Sequence, residues 1–114
     1  MVTKTTYALL IYEAAPPTPE SAAHALEHHR ALQKAAAERG ELHSVARLER
    51  SAKTVRLRGD AHDVTDGPYV ETKEWLVGFY LVDCESEAEA LERARSICPG
   101  ADHAIEVRRA VWWR

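Results

Sequence analysis

Three of the six histidines fall within six consecutive residues, "HALEHH", His24 to His29. Imidazole titrates nearest to neutrality, so these are the first candidates for moving a proton. His24 and His28 stand at i,i+4, a spacing that stacks two rings on one helix face as in metal-binding helices. No third ligand lies in local spacing, and the pair falls on the side turned to water, so no metal is expected. His29 projects from the other side. At 100° per residue it falls among Ala22, Ala25, Leu26, Leu32, Gln33 and Ala36. An inward imidazole must find hydrogen-bond partners. It is therefore either a structural histidine bonded to backbone or an acid–base group.

An acid–base histidine needs a partner, and "VTDGPYVETKEW" (Val64 to Trp75) offers carboxylates in an unusual setting. Asp66 can accept from backbone N–H groups further on and fix a turn. Gly67 tolerates positive φ, and Pro68 freezes its own φ and restricts Gly67. The segment is thus either a register-setting turn or a rigid platform for a site. Tyr69, Glu71, Thr72 and Lys73 add more polar groups than a turn requires. If the turn reaches His29, Asp66 would orient the ring and raise its basicity. Asp63 and Glu13, at the end of the first strand, are rival carboxylates. Candidate ligand contacts are Tyr12, Gly67, Pro68, Tyr69 and Thr72.

The elements that must position these groups follow from periodicity. "TTYALLIYE" (Thr5 to Glu13) is apolar on both faces, the mark of a strand covered twice. Thr18-Pro19-Glu20 starts a helix that runs to Gly40. "ELHSVARLE", "KTVRLRG" and a short "AHDVT" follow as strands. "EWLVGFYLVDC" is the most strand-like segment, with Trp75, Val77, Phe79 and Leu81 on one face and Leu76, Tyr80 and Val82 on the other. Ser86 to Glu89 is a capping box opening a second helix, which Pro99-Gly100 closes. "AIEVRRAVWW" ends the chain as a strand with Trp112 and Trp113 on opposite faces.

The order is strand, helix, two or three strands, helix, strand: an α+β, ferredoxin-like antiparallel sheet with two helices on one face. The central strands are apolar on both faces, so the helix-free face calls for a cover. The expected cover is a second copy, giving a homodimer with face-to-face sheets.

The bulk properties exclude several classes. With 114 residues the chain reads as one domain spanning residues 1–114, and 46% hydrophobic with 29% charged residues is ordinary for a globular protein. A net charge of −3, with the basic residues dispersed, gives no footprint for nucleic acid or an anionic membrane. No secretory n-region and h-region open it, and no apolar run reaches spanning length. Cys84 and Cys98 lack motif spacing and read as reduced, small hydrophobes. A cytoplasmic protein is expected.

With the elements placed, "YALLIYE", "ERGEL", "TVRLRG", "VTDGPYVETKEWLVGFYLVDCESEAEALERA" and "IEVRR" together resemble the YCII-related, or DGPF-domain, family. The motif reads Asp66-Gly67-Pro68-Tyr69 here, Tyr replacing Phe and keeping the ring. The resemblance implies a dimeric α+β barrel of ferredoxin-like subunits. It places His29 at the histidine of a His–Asp pair and Arg30 at a basic position common in the family, adding Arg30 to the ligand contacts. It implies no known reaction; no cofactor is expected, and two roles are open. One is a small-molecule enzyme using His29 and Asp66 in a pocket between the first helix and the sheet. The other is a non-catalytic ligand-sensing or accessory module tied to sigma-factor regulation, as some relatives are encoded beside extracytoplasmic-function sigma factors.

Overall fold

Thr18 opens the first helix by accepting from the Ser21 amide through its hydroxyl, while the Ser21 hydroxyl accepts from the Thr18 amide. Pro19 then occupies the first turn, where its missing N–H costs nothing. The computed structural model describes residues 3–69 and 74–113. In chain order they form β1 (Thr5–Glu13), α1 (Pro19–Glu38), β2 (Leu42–Arg47), β3 (Lys53–Arg58), β4 (Ala61–Asp66), β5 (Trp75–Cys84), α2 (Glu87–Ser96) and β6 (His103–Arg109). Gly40 ends the turn after α1 with φ 68°, a left-handed conformation that suits glycine.

Four strands make one sheet in the order β2-β5-β1-β6, every neighbouring pair antiparallel. With the two helices this is the ferredoxin-like α+β arrangement that the element order predicts. The extra segment "AHDVT" does form a strand, yet it joins β3 in a separate two-stranded hairpin.

The core lies between the helices and one face of the sheet. Tyr7, Leu9 and Ile11 of β1, Tyr80, Val82 and Cys84 of β5, Leu32 of α1 and Ala90 of α2 pack there with Ile97. Each fully buried aliphatic side chain stabilises by about 1.5–3 kcal/mol. Beyond the core, buried Glu41 accepts from Arg93 of α2 and pairs with Lys4 and Arg39. Burial alone would raise its pKa; the Arg93 and Lys4 hydrogen bonds and the Arg93 and Arg39 charges outweigh burial and lower it. This network ties both helices to the start of β1.

Two expectations are corrected. The faces of β5 do not alternate throughout. Ile11 pairs with Gly78 but Tyr12 pairs with Leu76, so Val77 is an extra residue in a bulge. One added residue reverses parity. Trp75 therefore packs against the same core as Tyr80 and Val82, and Phe79 and Leu81 lie on the other face. At the C-terminus, β6 stops at Arg109, so Trp112 and Trp113 do not sit on opposite faces of a strand. Trp113 packs on the His43 ring at 4.1 Å between centroids, and Trp112 is 80% exposed.

Candidate functional site

The first half of α1 stands over the sheet, leaving a cavity of about 300 Å³ beneath it. Ala22, Ala25, Leu26, His29 and Gln33 form the roof, and Ile11, Val77, Gly78 and Tyr80 form the floor. Val45 and Arg47 of β2 close one side, and Glu13, Pro17 and His103 the other. The bulge helps make the floor. A Cβ on Gly78 would come within 2.8 Å of the Ala46 carbonyl oxygen, so only glycine lets β2 approach there. Leu26, Val45 and Arg47 are exposed at the rim, giving a route from solvent.

His29 sits half-buried at the inner end of the roof. Its Nδ1 lies 2.7 Å from the Tyr80 hydroxyl, and the Gln33 amide donates to that same oxygen at 3.1 Å. Tyr80 is fully buried and has one proton to place. The pattern that leaves that proton with an acceptor has Tyr80 donating to Nδ1. The ring then carries its own proton on Nε2. Burial, first, and then the charges of His103, Arg47 and His28 lower the His29 pKa, so the ring is neutral at pH 7. Burial likewise raises the Tyr80 pKa, keeping the phenol protonated.

Glu13 ends β1 at the far wall, only 4% exposed. Arg50 donates to its Oε1 at 3.2 Å, and His103 Nε2 lies 3.5 Å from its Oε2. Arg50 also stacks over the Trp75 ring, 4.5 Å from the centroid. A buried carboxylate thus faces His103 and is paired with Arg50. The cavity accordingly holds two imidazoles, one backed by a phenol and the other by a carboxylate.

The sequence-derived residues divide. His29 and the rival carboxylate Glu13 share the cavity. Asp66 does not join them: it ends β4, its side chain is 88% exposed, and it pairs with Lys53. Asp63 faces Arg58 on the same hairpin. Gly67, with φ 98°, donates to the Ala52 carbonyl and accepts from Thr54, which closes the base of the hairpin. Asp66, Gly67 and Pro68 border a second groove with Lys53, Arg50 and Trp75. Tyr69 is exposed beneath the Arg56 guanidinium. Tyr12 lies on the other face of the sheet, its hydroxyl 3.4 Å from Glu106. Arg30 is exposed outside the cavity, and Thr72 lies outside the described residues. Arg50 is the link between the two places, since it borders the Asp66 groove and holds Glu13.

His24 and His28 approach to 3.1 Å between Nε2 atoms, on the side of α1 away from His29. No group of three metal-ligating side chains occurs among the described residues. Sequence reasoning missed Tyr80, His103, Arg47 and Arg50 as site residues. Tyr80 carried a signal, since a hydroxyl in the most apolar strand must find a partner when buried.

A family model for the YCII-related domain matches residues 5–114. The chain belongs to the YCII-related family. An uncharacterised protein of Rhizobium meliloti (strain 1021) is 48% identical over 69 residues, which is 59% of this chain and 56% of that relative. The match to the family model takes in β1 through β6, so it includes every cavity residue named above. Among the described residues of this YCII-related protein, no helix is long and apolar enough to cross a membrane.

Proposed function

We propose that this YCII-related protein is a small-molecule enzyme that uses no cofactor, its acid–base chemistry carried by His29 and a histidine–carboxylate pair in the cavity beneath α1. The carrying observation is that His29 and the Glu13–His103 pair line one solvent-reachable cavity. Neutral His29 offers an N–H to a carbonyl or developing oxyanion. His103, oriented by buried Glu13, takes or returns the proton. Glu13 fills the carboxylate role for which Asp66 was the first candidate, and Asp66 serves to set the hairpin. A ligand-sensing module would use the same cavity without turnover, and its apolar roof favours binding of either kind.

The test is consumption of compounds from a metabolite library, followed by mass spectrometry. General acid–base groups contribute about 10²–10⁴-fold, so His29→Gln and Glu13→Gln lose turnover by that order while Asp66→Asn keeps it. A wild-type protein that consumes nothing, or a His29→Gln variant as active as wild type, refutes the enzyme reading.

We also propose a homodimer through the helix-free face, in a cytoplasmic protein. Leu10, Phe79 and Leu81 lie only partly buried there, opposite the core-facing positions of their strands. A second copy of the sheet would cover them.

A further inference from the structure

Arg47 has no acidic partner among the described residues, although it lines the cavity. Glu13, the one carboxylate in the lining, is already engaged by Arg50 and His103. His29 turns an N–H, not a lone pair, away from Tyr80. Arg47 and the His29 N–H are thus two donors of the lining that can hold a ligand, beside the proton-exchanging role proposed for His103. Guanidinium presents a planar fork that matches a carboxylate in bidentate fashion. The remaining walls are largely aliphatic, Leu26 and Val77 among them, and they favour a hydrocarbon body. A volume of about 300 Å³ limits that body to a compact one.

We propose that the cavity takes a compact organic monoanion, a carboxylate on an apolar body of about one ring, with Arg47 binding the carboxylate at the rim. The proposal rests on the cavity being the functional site and names the substrate class for it. The electrostatics agree. Burial does most to lower the His29 pKa, and the charges of His103 on β6, Arg47 on β2 and His28 on its own helix add to it, with Tyr80 beneath the ring. A bound anion offsets that positive field.

The experiment is an NMR titration of the full chain with three acids, benzoate, cyclohexanecarboxylate and hexanoate, and their three neutral amides. Wild type, Arg47→Gln and Arg47→Lys are compared, with melting curves to confirm that the exposed substitution leaves the fold intact. At least one acid is expected to give a saturable shift at His29, with its amide weaker by about tenfold, the lower end for a hydrogen bond to a charged group. Arg47→Gln should remove that difference and Arg47→Lys restore part of it. Amides that bind as well as their acids, acids that ignore Arg47→Gln, or no saturable acid at all would overturn the proposal. Amides seated at His29 without a preference for acids would leave the enzyme reading standing. Acids held by Arg47 while library turnover survives His29→Gln would do the reverse.

Discussion

At the residue scale, His29 and His103 are the same side chain prepared for different work. His29 has a phenol on Nδ1 and is half-buried, whereas His103 has a buried carboxylate at Nε2. In the proposed chemistry the first, held neutral, acts as a donor and the second exchanges a proton. The lowered His29 pKa has a consequence for stability. The unfolded ring takes up a proton near its ordinary pKa of about 6.5, while the folded ring resists it. The unfolded state then binds more protons as pH falls, so folding loses stability through that window and the loss levels off below the folded pKa. Chemical denaturation at a series of pH values should show this slope in wild type and lack that contribution in His29→Gln. An identical slope in both would contradict the assigned environment.

Elements place these residues, and the bulge in β5 does most of the placing. It turns Trp75 inward against Arg50 and brings Gly78 beneath the Ala46 carbonyl. Gly78→Ala forces a contact that backbone must relieve, so it should cost about 1–3 kcal/mol in denaturant unfolding; a change within experimental error would show the approach to be slack. The bulge also explains what the sequence hid. Strand and helix order were legible because period and caps are local: Thr18, Gly40 and Ser86 mark their ends unaided. His29 was legible for the same reason, as its face follows from helical spacing. A one-residue insertion is invisible to alternation, so the face of Trp75 came out reversed. The partner of His29 was not legible because Tyr80, Gln33 and His29 meet only when β5 passes under α1. The Asp66 turn stood out in composition, but its rigidity serves the hairpin it closes.

At the scale of the whole molecule, two apolar stretches among the described residues bear on assembly. The helix-free face presents Phe79 and Leu81. The β3–β4 hairpin carries Val55, Leu57 and Val64, each more than 60% exposed. An isolated hairpin is marginal in water without something to pack on. Both fit a protein that meets a second copy of itself. Light scattering at micromolar concentration should report a dimer, and Phe79→Glu should convert it to monomer while leaving α1, α2 and the cavity folded. A wild-type monomer would remove the dimer from the account. The cavity itself lies on the helix side of the sheet, so its chemistry stands or falls separately. That chemistry is tested most directly by following the ring resonances of His29, His103 and Tyr69 while the six acids and amides are added. Saturable shifts are expected at His29 and His103 with Tyr69 unmoved; shifts at Tyr69 with both histidines silent would instead put the site at the Asp66 turn and refute the cavity as the site.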